Sequence, residues 1–147
     1  MPLVFRSDTS CMIAAVCSWH EHHEAAANEI ERRLAGRTKM IVAAPALTEA
    51  YAVLTRLPPP HRLSPQTALT LLDNNFLKLA TVIALTAKSY ETLLLRAPKN
   101  NVAGGRIYDA VIGACAEQGK ASTVLTFNAA DFTALNQDFD VVVPGTI

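Results

Sequence analysis

The sequence predicts an α/β fold, a three-layer sandwich in which helices flank a five-stranded parallel sheet. Short β-rich runs alternate along the chain with longer segments of helical patterning, and parallel strands need such crossover segments between them. Half of the 147 residues are apolar, which is enough for one sizeable core. We therefore expect residues 1–147 to form a single domain.

The predicted strands are short apolar runs, as is typical of parallel strands that helices cover on both faces. Five runs of this kind occur along the chain: Leu3–Ser7, Met40–Ala44, Ala80–Leu85, Thr123–Phe127 and Phe139–Val143. Because helical segments separate them, we predict that they pair in parallel.

Helical patterning fills the segments between the strands. Five such segments are Trp19–Leu34, Pro45–Arg56, Ser64–Leu72, Thr86–Leu95 and Gly105–Gln118. Pro45 suits a first helical position, and Ser64-Pro65 suits a cap followed by a first turn. Gly119 is expected to end the fifth helix.

A proline-rich segment separates the second and third predicted helices. Pro58, Pro59 and Pro60 follow one another directly, and consecutive prolines lack the N–H donors that a helix requires. We predict a stiff corner here, and we favour a connector over a recognition motif.

Composition excludes a basic surface that covers the whole molecule. Thirteen basic residues are offset by thirteen acidic ones, so any contact with a polyanion must be local.

Cys11, Cys17 and Cys115 show no CxxC spacing, and we expect them to be reduced core residues. No signal-peptide pattern or run of about 20 apolar residues occurs, so we expect a cytoplasmic protein without membrane contact.

Three carboxylates interrupt apolar surroundings. Asp8, Glu49 and Asp109 are each the only charged residue within a long stretch of the chain. Burying an ionised carboxylate costs several kcal/mol unless it is paired, hydrogen-bonded or bound to a metal. Three such residues in one small domain indicate a shared cause.

The predicted topology brings these carboxylates to one edge of the sheet. Asp8 ends the first strand, and Glu49 lies in the first turns of the helix after the second strand. Open α/β folds place their sites at this carboxyl edge. A crossover helix runs antiparallel to its strands, so the start of the helix that carries Asp109 returns to the same edge. After the fourth strand, Asn128 or Asp131 could complete the site, and Asn128 could equally be a helix cap.

Converged carboxylates need a cation. Two carboxylates about 4 Å apart repel by roughly 1 to 4 kcal/mol at effective dielectrics of 80 to 20. Oxygen ligands without His or Cys favour Mg²⁺ or Mn²⁺. Such an ion can bind a phosphate oxygen and activate water, which predicts phosphodiester hydrolysis.

Four short motifs follow one another in this order: Ser7-Asp8-Thr9-Ser10, Thr48-Glu49-Ala50, Gly105-Arg106-Ile107-Tyr108-Asp109-Ala110, and Thr126-Phe127-Asn128 followed by Asp131-Phe132. Together they resemble a PIN domain over essentially the whole chain. The length, the proline-rich corner and the last motif are similar to bacterial VapC toxins. The resemblance implies a PIN-like sandwich, Mg²⁺- or Mn²⁺-dependent endoribonuclease activity on RNA, homodimerisation, and neutralisation by a cognate VapB-type antitoxin.

The resemblance also implies roles for single residues. Asp8, Glu49 and Asp109 would be catalytic residues and metal ligands, and Asp131 is a further catalytic candidate. Thr9 or Ser10 would orient the first carboxylate, and Thr126 and Asn128 would support the site. Two positions depart from the family's usual pattern: Asn128 is often an aspartate, and Arg6-Ser7 replace apolar residues.

Simpler roles stay open for the same residues. Asp8 could cap a helix that starts near Ser10 or Cys11, and Glu49 could favour the positive end of its helix. Asp109 could pair with Arg106 on its own helix. The acidic pocket could also receive basic side chains of a partner without turnover, which is our alternative function.

Three further groups of residues have two interpretations each. His20, His22 and His23 suggest a solvated, capping or dimer-contact role more than a metal site. Arg32, Arg33, Arg37 and Lys39 suit the negative end of a helix, and they could also form an RNA-binding patch. Trp19, Tyr51 and Tyr108 could pack in the core or at an interface, or stack on bases.

Overall fold

A computed structural model describes residues 3–130 and 139–146. In chain order its elements are β1 (Val4–Ser7), α1 (Thr9–Val16), α2 (His23–Ala35), β2 (Lys39–Ala43), α3 (Ala44–Arg56), α4 (Pro65–Leu72), β3 (Thr81–Ile83), α5 (Ala87–Arg96), α6 (Arg106–Gln118), β4 (Thr123–Leu125) and β5 (Asp140–Val142). A single π-helical turn, Asp73–Leu77, extends α4, and a 3-10 turn, Pro98–Asn100, follows α5.

All five strands pair in parallel, in the order β3-β2-β1-β4-β5, which confirms the predicted sheet. The chain starts in the centre, moves outward through β2 and β3, and returns to the other side of β1 through β4. This reversal creates a topological switch point between the carboxyl ends of β1 and β4, where ligands of open α/β sheets bind. Ser7 is in register with Leu125, so the residues that follow these two strands leave the sheet side by side.

The two faces of the sheet are covered by different helices. Phe5, Met40 and Val42 belong to the main core, together with the buried side chains of α1, α3 and α4. On the other face, α6 packs so closely that a Cβ at Gly119 would overlap Ile41 Cδ1. Glycine at this helix end is therefore required by a close approach as well as by its role as a stop signal.

The predicted helix Trp19–Leu34 is wrong at its beginning. A separate helix, α1, starts directly after Asp8, and α2 starts only at His23. Four of the eight α1 residues are buried, so the segment shows no polar face from which helical periodicity could be read. The other helices, including the Pro45 and Ser64 start signals, lie within a few residues of their predicted bounds.

Two further findings concern composition. Cys11, Cys17 and Cys115 are buried free thiols, as predicted, and burial raises the pKa of Cys11 to about 12. In the part of the chain that the structure describes, no helix is both long and apolar enough to cross a bilayer.

Candidate active site

Asp8 lies at the switch point of the sheet, and both of its carboxylate oxygens accept hydrogen bonds. Its Oδ1 accepts hydrogen bonds from the Ser10 hydroxyl (2.7 Å) and the Cys11 N–H (3.1 Å). Its Oδ2 accepts a hydrogen bond from the Thr126 hydroxyl (2.5 Å). Because hydroxyl and backbone donors fix both oxygens, the orientation of this carboxylate is determined before any ligand arrives.

The two hydroxyls are themselves fixed by the backbone that follows β4. The Phe127 N–H donates to Ser10 Oγ (3.0 Å), and the Asn128 N–H donates to Thr126 Oγ1 (2.9 Å). Two short relays therefore run from the loop after β4 through hydroxyls to Asp8. Ser10, rather than Thr9, supplies the hydroxyl that was predicted to orient Asp8.

The simpler interpretation of Asp8 is confirmed, since it is the N-cap of α1. An N-cap carboxylate uses one oxygen on the helix N–H groups. The second oxygen of Asp8 instead faces Thr126, from a different strand. A cap alone does not require this second contact, so the two roles are compatible.

Glu49 lies within electrostatic reach of both Asp109 and Asp8. Glu49 stands in the second turn of α3 and Asp109 in the first turn of α6. Partial burial raises the pKa of Glu49 most, the negative charges of Asp109 and Asp8 raise it further, and Arg56 opposes the shift. The charge of Glu49 is thus influenced by both of the other carboxylates that the sequence singled out.

Burial of all three carboxylates, as the apolar surroundings in the sequence suggested, is wrong for two of them. Asp8 is buried, but Glu49 and Asp109 are exposed. Both lie near helix starts, where small or apolar neighbours along the chain point away from the carboxylate. Within the described residues, no ion pair joins Asp109 to Arg106, so that alternative is not supported.

The segment after β4 is only partly described. Asn128 is exposed at the edge of the site, where its N–H supports Thr126. Asp131 lies outside the described residues. Thr126, in contrast, is completely buried and contacts Asp8 directly.

Arg6 is a functional candidate to which sequence reasoning assigned no role. It lies on the central strand with only 2% of its surface exposed, in register with Ile41 and Val124. Burial lowers the pKa of Arg6, and the neighbouring Asp8 and Cys115 oppose that shift. Residues two apart on an extended chain share a face, so Arg6 is a buried counter-charge for Asp8. A lone arginine inside an apolar strand, two residues before a candidate site residue, was the signal that could have revealed it.

Whether a metal ion fits this site depends on which ligand atoms the side chains offer. Within residues 3–130 and 139–146, no three His, Cys, Asp or Glu side chains lie together in an arrangement that could hold a metal ion. The donors that converge are nevertheless of the right kind, because carboxylates and hydroxyls are the oxygen ligands of hard divalent ions. Mutual repulsion keeps carboxylates apart, and a cation is what draws them to ligand distance. The residues therefore fit Mg²⁺ or Mn²⁺ in the chemistry of their donor atoms.

The basic residues at the end of α2 lie elsewhere. Arg32 and Arg33 both form ion pairs with Glu29, the latter at 3.3 Å. Lys39 begins β2, which places this group at the amino edge of the sheet, opposite the carboxylates. The structure therefore favours the helix-end interpretation over an RNA-binding patch next to the site.

The raised pKa of Glu49 makes a prediction about stability. A carboxyl group whose pKa is higher in the folded state than in the unfolded state destabilises the fold when it is charged. This cost in free energy disappears as the pH falls below 4.5, the pKa of the group in the unfolded state. Glu49→Gln should therefore increase the free energy of unfolding at neutral pH, and the increase should shrink towards pH 4. Urea denaturation across this pH range measures the effect, with Glu31→Gln on the exposed face of α2 as the control. An equal response of both variants at every pH would contradict it.

Comparison with known proteins agrees with this geometry. The PIN domain family model matches residues 7–136. Ribonuclease VapC40 of Mycobacterium tuberculosis is 38% identical over 114 residues, which cover 78% of this chain and 79% of that protein. The crystal structure of M. tuberculosis VapC20, a sarcin-ricin loop cleaving toxin, superposes with a TM-score of 0.66 at 16% identity, covering 91% of this chain and 97% of that chain. VapBC2 from Rickettsia felis, bound to a DNA fragment from their promoter, gives the same TM-score at 19% identity, with 95% and 98% covered. This chain belongs to the PIN-domain family, as a member of the VapC type.

Proposed function

We propose that the chain is a divalent-metal-dependent endoribonuclease that hydrolyses RNA phosphodiester bonds and acts as the toxin of a toxin-antitoxin pair. The observation that carries the proposal is the immobilised Asp8 at the switch point, with Glu49 near enough to interact electrostatically with both Asp8 and Asp109. VapC40, to which the chain is similar over most of its length, is named a ribonuclease. The acid group of this chain is suited to that chemistry.

The residues of the site have different roles. When bound, Mg²⁺ or Mn²⁺ supplies a Lewis acid for the phosphate and a means of activating water. Asp8 provides a rigid carboxylate, because Ser10 and Thr126 hold its two oxygens. Glu49 and Asp109 provide exposed carboxylates at the open side of the site.

The direct test is cleavage of structured RNA by the purified full-length chain. We expect cleavage with Mg²⁺ or Mn²⁺ and none with excess EDTA, with activity restored when the metal is added back. The absence of cleavage over several metals and RNAs, together with tight binding of a basic protein partner, would instead support the acid-pocket binding module without turnover.

Thr126 is expected to act as a positioning residue. Thr126→Val removes the hydroxyl that holds Asp8 Oδ2 but keeps the side-chain shape, whereas Thr126→Ser keeps the hydroxyl. Loss of a group that orients a metal ligand typically costs about 10- to 100-fold, and we expect this loss in kcat with little change in KM. Steady-state cleavage kinetics measure the split. Equal kcat values for the valine and serine variants would contradict the role.

We propose a cognate VapB-type antitoxin as a protein partner. VapBC2, which resembles this chain closely in fold, was crystallised with a DNA fragment from their promoter. The exposed carboxylates Glu49 and Asp109 offer a complementary surface for basic side chains of such a partner. Inhibition of RNA cleavage by the co-expressed partner, relieved when the partner is removed, would support this assignment.

A second copy of the chain is proposed to dock on the apolar face of α5. This helix has no buried residue, although it carries Tyr90, Leu94 and Leu95. Tyr108 of α6 is also exposed and borders the same groove of about 510 Å³, which Glu49 lines at its edge. An exposed apolar patch of this kind marks an interface. The zero net charge of the chain removes long-range repulsion between two copies.

Leu94→Glu should shift the protein from dimer to monomer. A charge at the centre of an apolar interface should cost about 2 kcal/mol or more, roughly a 30-fold rise in the dimer dissociation constant. Size-exclusion chromatography with light scattering measures this change over a concentration series. Leu69→Glu, at an exposed leucine of α4, is the control. A Leu94→Glu protein that is still dimeric would place the interface elsewhere.

A further inference from the structure

Five rings form one continuous row that ends beside the acid site. The His22 ring stacks on the Phe127 ring, with centroids 4.5 Å apart and planes at 11°. Trp19 stacks on His61, with centroids 4.0 Å apart and planes at 21°. His20 links the two stacks, since its ring lies 5.8 Å from Trp19 and 5.7 Å from His22. We name Trp19, His20, His22, His61 and Phe127 the aromatic strip.

The strip is built from three separate parts of the chain. Its middle comes from the turn between α1 and α2, one end comes from the corner between α3 and α4, and the other end follows β4. The turn is held by backbone hydrogen bonds from His20 N–H to Cys17 O and from His23 N–H to His20 O, each 3.0 Å long. The His20 Nδ1 accepts the His22 N–H at 3.0 Å. The rings are therefore ordered in advance, which reduces the entropy lost when a ligand binds.

Packing alone does not account for the strip. Trp19 has 46% of its surface exposed, and the His22 side chain has 45% exposed. Rings that only filled the core would be covered on both faces. About half of the Trp19 surface and of the His22 side chain is therefore in contact with solvent.

The strip is connected directly to Asp8. The N–H of Phe127, its last member, donates to Ser10 Oγ at 3.0 Å, and Ser10 in turn donates to Asp8 Oδ1. Only Ser10 therefore separates the end of the strip from Asp8, and a ligand that lay along the strip would end beside this carboxylate.

The strip carries hydrogen-bond donors and one cation that a polyanion can use. Three histidines lie within it, and the exposed Arg62 follows His61 directly. The exposed Glu21, 3.3 Å from His22 Nε2, is the acidic group that the structure pairs with the strip. Arg32 and Arg33, by contrast, are both paired with Glu29 at the other end of α2.

We propose that the aromatic strip is a stacking platform for successive bases of a single-stranded RNA segment that leads to Asp8. The proposal rests on the ribonuclease function proposed above and adds the part of the substrate that the strip would bind. Bases stack on aromatic rings with little sequence preference because every base has a π-face. Histidine rings add donors for the phosphates between the bases.

Trp19 is the only tryptophan of the chain, so its fluorescence reports on the strip alone. We would titrate the full-length protein with a short 2′-O-methyl oligoribonucleotide, which cannot be cleaved, and follow both Trp19 emission and the anisotropy of labelled RNA. Binding should quench Trp19. His22→Ala and His61→Ala should weaken binding about 5- to 100-fold each, as expected for the loss of one stacked base. His22→Phe should keep most of the affinity if stacking is the main contact.

Tyr51→Ala is the matched control, because Tyr51 is an exposed aromatic residue of α3 outside the strip. Wild-type affinity in His22→Ala and His61→Ala, or RNA binding without a change in Trp19 emission, would overturn the proposal. Circular dichroism of each variant checks that the fold is intact.

Metal-dependent cleavage by His22→Ala with an unchanged KM would reject the strip and keep the ribonuclease function. Binding through the strip without cleavage by the wild type would reject the ribonuclease function and keep the strip.

Discussion

Asp8→Asn should abolish metal-dependent RNA cleavage and leave the fold intact. The substitution keeps the size of the side chain and removes the charge that would hold a cation. Loss of groups that only support a metal ligand typically costs about 10- to 100-fold, so loss of the central carboxylate should cost more than about 100-fold. Asparagine is also a good helix N-cap, and its carbonyl oxygen can still accept the Cys11 N–H. Stability should therefore change far less than activity.

Single-turnover cleavage and thermal unfolding, measured on the same preparation, check this prediction. Asp109→Asn should also abolish cleavage, and it should do so with an even smaller effect on stability because Asp109 is exposed. The control is Asp73→Asn, which removes a partly exposed carboxylate paired with Lys78 at 3.4 Å. If Asp8→Asn and Asp109→Asn both cleaved RNA at the rate of the wild type, neither carboxylate would belong to the mechanism.

Arg6→Ala should lower the free energy of unfolding by about 3 to 5 kcal/mol, the usual result of removing one member of a buried charge pair. Arg6 is almost completely buried under α6, and its charge faces Asp8 and Cys115. Alanine would leave a cavity in the centre of the sheet and an uncompensated negative charge at Asp8. Both effects act on the folded state, so unfolding should become easier at every salt concentration.

Urea denaturation of the wild type and Arg6→Ala gives this difference in free energy. Arg62→Ala is the matched control, since Arg62 is an exposed arginine whose Nε donates to Leu57 O at 2.9 Å. Its loss should cost less than about 1.5 kcal/mol, the upper value for a single hydrogen bond at the surface. A loss of similar size in both variants would show that Arg6 is not a structural counter-charge.

Much of the fold could be predicted because its signals are local. A helix start such as Pro45 or Ser64 depends on a few neighbouring residues, and both are confirmed. The separation of β1 and β4 by helical segments was enough to predict parallel pairing. In contrast, α1 was not among the predicted helices and entered only as the alternative in which Asp8 caps a helix. None of its residues is exposed, so no alternation of polar and apolar residues marks it along the chain. Burial on several sides is a property of the folded molecule.

The candidate site likewise combines features that the sequence could predict with features that it could not. Asp8, Glu49 and Asp109 could be selected from the sequence by their isolation among uncharged residues, and their electrostatic coupling in the structure agrees with that selection. Their different exposure could not be predicted, because it depends on which neighbouring helices cover each carboxylate. The same holds for Thr126, whose contact with Asp8 joins residues 118 positions apart.

The sequence by itself determined the α/β class, the parallel sheet, most helix starts and which carboxylates stand alone among uncharged residues, because these follow from short-range periodicity and residue chemistry. The tertiary structure alone decided that Arg6 lies buried beneath Asp8, that Ser10 and Thr126 hold its two oxygens, and that five rings from three segments form a row beside it. These contacts depend on which strands become neighbours, and strand order is set by the packing of the whole chain rather than by any local stretch of it.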